Sequence, residues 1–123
     1  MRILKTKTFA RWARKQGLID RQLAHAVAEV ESGLVEARLG GDVFKKRVAR
    51  RGEGKRGAYR TVLAGSRGDR WIFLFGFAKN ERSDIDEDEL RALKQLAQAW
   101  LGMDEPDIDN AVDAGELHEV RDG

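Results

Sequence analysis

Eight cations fall within residues 43 to 64: Lys45, Lys46, Arg47, Arg50, Arg51, Lys55, Arg56 and Arg60. The stretch, VFKKRVARRGEGKRGAYRTVLA, reads as two strands around a glycine-rich turn. In a strand, alternation puts Val43, Lys45, Arg47 and Ala49 on one face and Phe44, Lys46 and Val48 on the other. On the returning strand Tyr59, Thr61 and Leu63 alternate with Ala58, Arg60 and Val62, so Arg60 emerges near Lys45 and Arg47 if the register allows. Lys79 and Arg82, just past the next strand, would close the cluster. Neighbouring strands that carry so many like charges are destabilised unless an anion sits among them, and phosphate is the obvious candidate. A solvated edge that discourages aggregation explains any single lysine better. The persistence of cations across two strands, a loop and the approach to a helix favours nucleic acid for the set.

Such a cluster could also be catalytic. Cleaving RNA through its own 2'-hydroxyl needs a base for that hydroxyl, cations for the pentacovalent phosphorane and an acid for the leaving 5'-oxygen. Lysine among other cations can act as the base, while arginine stays charged and stabilises. No histidine is then required, and neither a metal nor a cofactor is expected. His25 and His118 have no second ligand at metal spacing and read as ordinary polar residues. The carboxylates Asp84, Asp86, Glu87, Asp88 and Glu89 crowd a helix start, where capping and the helix dipole account for them. Trp12, Trp71 and Trp100 lie in apolar contexts typical of core residues. Tyr59, beside Arg60, either packs in the core, the commoner role, or stacks on a base.

The elements that position these groups follow from periodicity. MRILKT reads as a short strand. TFARWARKQG spaces Phe9, Trp12 and Ala13 for a helix, with Thr8 as cap and Gly17 as stop. DRQLAHAVAEVESG gives a second helix, capped by Asp20, faced by Leu23, Val27 and Val30 and ended by Gly33. After Gly40 and Gly41 the period changes: residues 43 to 49, 58 to 65 and 70 to 78 should form an antiparallel meander, with RWIFLFGFA buried on both faces. SDIDEDELRALKQLAQAWLG is a third helix, capped at Ser83, Asp84 or Asp86, with Leu90, Leu93, Ala97, Trp100 and Leu101 as its buried stripe. Pro106 starts a short helix that gives way to an extended end. The fold class is α+β: an antiparallel sheet on an N-terminal helical hairpin, with a further C-terminal helix.

The chain has 123 residues, 41% hydrophobic and 36% charged, which suits one globular domain with a heavily charged surface. We expect residues 1–103 to form that domain and 104–123 an acidic C-terminal extension. The absence of cysteine excludes disulfides, zinc-thiolate sites and a thiol nucleophile. With no secretory signal and no apolar span, the expectation is a cytoplasmic protein without a membrane partner. The net charge of +2 hides a polarity: residues 1–41 carry +4, 42–82 carry +8 and 83–123 carry −10.

GGDVFKKRVARRGEGKRGAYRTVLA, followed by FLFGFAKNERSDIDEDELRALKQLA and the ending AGELHEV, resembles the RelE/HigB superfamily of bacterial type II toxins. The resemblance covers nearly the whole chain. It implies a small α+β fold, a cognate antitoxin that is itself a small DNA-binding protein, and a ribosome-dependent endoribonuclease acting on mRNA without a metal. By position it makes Lys45 and Arg47 the paired strand cations, with Lys45 the candidate base. It matches Arg60 to the arginine that holds the scissile phosphate, and Lys79 and Arg82 to the basic stretch ending the last strand. Arg50 and Lys55, with Lys46, Arg51, Arg56 and Tyr59, make up the expected RNA- and ribosome-contacting set. The chain departs from better-known RelE enzymes at Asn80, where they carry a basic residue, and in having no tyrosine near Asp86. Two rival readings are a ParE-like inhibitor of DNA gyrase and a non-catalytic nucleic-acid-binding module.

Overall fold

A computed structural model of the chain describes residues 1–50, 54–66 and 69–121, apart from the side chains of residues 50 and 54–57. The elements run β1 (Ile3–Thr6), α1 (Lys7–Gln16), α2 (Asp20–Glu31), β2 (Ala37–Gly40), β3 (Val43–Arg50), β4 (Gly54–Gly65), β5 (Trp71–Ala78), α3 (Glu87–Leu101), α4 (Glu105–Asp113) and β6 (Leu117–Glu119). The strands make one sheet in the order β2-β3-β4-β5-β1-β6. The expected meander is β3-β4-β5, all antiparallel. The sheet is nevertheless mixed, because β1 returns beside β5 in parallel, with Leu4 opposite Ile72. The α1–α2 pair lies between these strands in sequence and supplies the crossover that a parallel pairing needs. β2, which was not expected, adds an edge to β3 through Ala37 and Arg38.

Two cores form, one on each face of the sheet. Phe9, Ala13, Leu23 and Val27 pack on Val48, Leu63 and Phe73. On the other side Leu93, Ala97 and Ile108 pack on Val43, Val62, Ile72 and Leu74. Burial from both sides explains the nearly unbroken apolar run of β5. A register shift between β4 and β5 puts Leu74 and Phe75 toward the same α3-side core. It leaves Gly76 under Trp12 of α1, where a Cβ would come within 2.3 Å of the indole ring.

The helix starts differ in detail from expectation. Thr6, not Thr8, caps α1, its hydroxyl accepting from the Phe9 N–H at 3.1 Å. Gly17 ends that helix in the left-handed conformation, as its type foretold. Asp20 is the first residue of α2 and not its cap. Its carboxylate instead accepts from Lys5 at 2.7 Å and from the Arg121 N–H at 2.9 Å, tying β1 and the chain end to α2. Asp86 caps α3 in a reciprocal bond pair with Glu89.

The acidic segment beyond residue 103 is packed into this sheet. Ile108 and Leu117 are fully buried, and β6 pairs antiparallel with β1. Arg2 binds Glu105, Asp109 and Glu119, while Arg70 binds Glu105 and the carbonyls of Trp100 and Met103. The charge polarity along the chain thus becomes contacts of its acidic end with Arg2 and Arg70. Among the described residues no helix is long and apolar enough to cross a membrane.

Candidate nucleic-acid interface

Strand pairing sets the geometry of the cationic cluster. Arg47 of β3 stands directly opposite Arg60 of β4, and Lys45 lies two residues along the same face, opposite Val62. Arg60 is in turn opposite Phe77 of β5. Direct cross-strand partners share a face, so Lys45, Arg47 and Arg60 all lie on the side covered further along by α3.

Like charges this close need counter-ions, and the protein supplies them from two connecting segments. Glu36, between α2 and β2, takes the Arg60 Nε–H at 3.1 Å and stands 3.6 Å from the Arg47 Nε. Arg60 also donates to the Ala58 carbonyl at 3.3 Å, and only 8% of its side chain is exposed, against 47% for Arg47. Asp84, between β5 and α3, accepts from the Lys45 ammonium at 3.1 and 3.2 Å. The Ile85 N–H, then Lys45 and Arg60, hold the Asp84 carboxyl below the usual carboxylate range.

Arg82 is more heavily committed than a free site cation. Both its terminal nitrogens bind the Glu89 carboxylate, its Nε–H reaches the Asp84 carbonyl at 3.0 Å, and its guanidinium lies 5.7 and 5.6 Å from the Phe75 and Phe77 ring centres. Hydrogen bonds from Arg82 and from the Asp86 N–H push the Glu89 carboxyl down to about 2. Lys79 is exposed immediately after β5.

Two expected RNA-contacting residues sit elsewhere. Lys46, on the opposite face of β3, is buried, with its ammonium 3.0 Å from Glu29 and donating to the Leu34 carbonyl at 2.9 Å. It is an internal cation under α2, on the side of the sheet away from Lys45, Arg47 and Arg60. Tyr59 is also buried: Trp12 meets it edge-on at 5.4 Å and its hydroxyl donates to the Gln16 carbonyl at 3.3 Å, which leaves no open ring face for a base. Arg51 and the side chains of Arg50, Lys55 and Arg56 lie outside the described residues. Among the described residues no acidic or histidine cluster has metal-site geometry. Glu36 is the member that sequence reasoning misses, because nothing in VEARLGG distinguishes its carboxylate from an ordinary loop acid.

A six-stranded sheet with four helices is consistent with a RelE-like α+β fold. The family described as RelE toxin of RelE / RelB toxin-antitoxin system matches residues 1–120, and the chain belongs to that family. It is therefore a toxin of a toxin–antitoxin system, with an antitoxin as its cognate partner. No individual curated protein matches the sequence.

Proposed function

We propose that this toxin is a metal-independent endoribonuclease that cleaves mRNA on the ribosome by 2'-hydroxyl attack. The opposed pair Arg47 and Arg60, with Lys45 on the same face, is the observation that carries this reading. Two guanidiniums that share one carboxylate can instead share the non-bridging oxygens of a phosphate. In the reaction the 2'-oxygen bonds to phosphorus as its proton leaves to a base. The bond to the 5'-oxygen breaks, that oxygen takes a proton, and a 2',3'-cyclic phosphate and a 5'-hydroxyl result. Lys45 is the base in this scheme and must first give up its contact with Asp84. Arg60 and Arg47 stabilise the phosphorane, Arg60 from an almost fully desolvated position where its charge acts most strongly. Lys79 and Arg82 extend the positive field at the end of β5.

The test is 5'-end mapping of cellular mRNA after brief induction, with and without translation blocked, beside Arg60→Ala and Lys79→Ala. New ends inside codons that disappear when translation stops, and that fall about 100-fold or more in Arg60→Ala, support the reading. Growth arrest with no new ends overturns it and directs attention to gyrase, whose supercoiling activity would then fail.

A further inference from the structure

The cations of α1 stand apart from those of the strand face. Lys7, Arg11, Arg14 and Lys15 are all exposed, and the only other exposed residue of this helix is Thr8. The helix buries Phe9, Ala10 and Ala13 and contains no carboxylate. None of the four cations has an ion-pair partner among the described residues: the neighbouring carboxylates Asp20 and Glu119 are taken by Lys5 and Arg2, and the exposed Glu116, whose carbonyl accepts from the Lys7 N–H at 3.0 Å, forms no ion pair with any of the four. Arg14 and Lys15 suit the negative end of the helix dipole, but Lys7 opens the helix where the dipole is positive. The spacings 7 to 11 and 11 to 15 place like charges one turn apart, each pair costing about 0.2–0.5 kcal/mol. Stability does not ask for this face.

We propose that the exposed face of α1 is a docking surface for the phosphate backbone of structured RNA, separate from the strand face. Cations three and four residues apart stand about 5–6 Å from one another along the helix, which suits successive backbone phosphates. Because no large apolar side chain is exposed on α1, the face fits a polyanion rather than a protein partner that would need apolar area. Its position gives the contact a use. Trp12 lies against Gly76 of β5 and Tyr59 of β4, and the Tyr59 hydroxyl binds the Gln16 carbonyl, so α1 is fixed behind the strands that carry Arg60. RNA held on α1 would orient the strand face toward a second RNA segment on the far side of the sheet. On the nuclease reading, on which this assignment rests, the docked RNA is ribosomal and the second segment is the message.

The experiment is equilibrium binding of the full chain to purified ribosomes across a salt series, comparing wild type with Arg11→Gln/Arg14→Gln/Lys15→Gln. We expect affinity to fall at least about tenfold, and the slope of log K against log salt to become shallower by roughly two to three. Circular dichroism and the melting midpoint should match wild type. In Lys7→Gln alone the slope should change by about one, which guards against a folding defect of the triple variant. Unchanged affinity and slope in a folded triple variant would overturn the proposal. So would a loss of antitoxin affinity with ribosome binding intact, which would assign the face to an acidic protein. The nuclease reading fails separately: if wild type binds ribosomes through α1 but creates no new RNA ends, that reading falls and the docking surface stands.

Discussion

The sheet separates two cationic surfaces that differ in how their charge is held. On the strand face, Lys45, Arg47, Arg60 and Arg82 each meet a carboxylate from outside β3 and β4: Asp84, Glu36 or Glu89. On α1, four cations project into solvent with no such partner among the described residues. A paired, partly desolvated cation is fixed in position and must exchange one anion for another, which suits selective handling of a single phosphate. An unpaired, solvated cation is already surrounded by counterions, and releasing them drives binding that is strong at low salt and blind to sequence. On the proposed readings the same residue types serve two different tasks, depending on whether the fold supplies an acid beside them.

The sharpest contrast should come from removing one cation of each kind. Lys46→Met takes away a buried ammonium held by Glu29 and the Leu34 carbonyl, and should cost about 2–3 kcal/mol of stability by chemical denaturation. Lys15→Met on α1 should change stability by less than about 0.5 kcal/mol. Equal effects would break the distinction between held and free cations. Next in size, Gly76→Ala forces a Cβ into the Trp12 ring and should cost about 1–3 kcal/mol, since the overlap falls on a half-buried indole that also packs against Phe9 and Tyr59. If α1 is the support on which the strand face is aimed, this variant should also reduce RNA cleavage more than it reduces ribosome affinity.

Much of this arrangement is legible in the sequence because strand alternation is simple. VFKKRVA and AYRTVLA place Lys45, Arg47 and Arg60 together, and the pairing Arg47 to Arg60 follows from a register that keeps Val43 and Val62 in one core. The long α3 and the buried β5 are equally plain from their periodicity. β2 escapes because four residues ending on the first of two glycines carry too little pattern, and the parallel return of β1 escapes because pairing between distant segments leaves no local mark. Acid partners are the least legible part. Glu36 and Asp84 lie in connections whose direction depends on the whole fold, so a list of cations alone overstates how many are free to bind. For α1 the spacing 7, 11, 14 and 15 is visible in the sequence, whereas the lack of an ion-pair partner among the described residues emerges only once Asp20 and Glu119 are seen to be engaged elsewhere.

Glu36→Gln would move the strand face one step toward the α1 condition. Arg60 keeps its bond to the Ala58 carbonyl, but Arg47 and Arg60 lose their shared negative charge. Affinity for a short non-cleavable RNA should rise a few-fold, with a salt slope steeper by about one. No change in either would mean that Glu36 does not stand where the phosphate binds.

The smallest effect expected is also the most specific to pairing. The Glu89 carboxyl is lowered from 4.5 to about 2, chiefly by Arg82 and then by the Asp86 N–H. A carboxyl depressed by folding contributes stability that is complete above its unfolded value and is lost as pH falls through its folded one. The Arg82–Glu89 contact should therefore weaken between about pH 4.5 and pH 2, and melting midpoints across that range should fall less steeply in Glu89→Gln than in wild type. Both partners are partly solvated, so the difference at neutral pH should be slight. Part of the acid sensitivity should survive in the variant, because the lowered Asp84 carboxyl still meets Lys45. An acid limb identical to wild type would show that Arg82 is held mainly by the Phe75 and Phe77 rings and the Asp84 carbonyl. Arg82 would then be positioned by packing rather than by its acid, and the contrast with α1 would narrow to Lys45, Arg47 and Arg60.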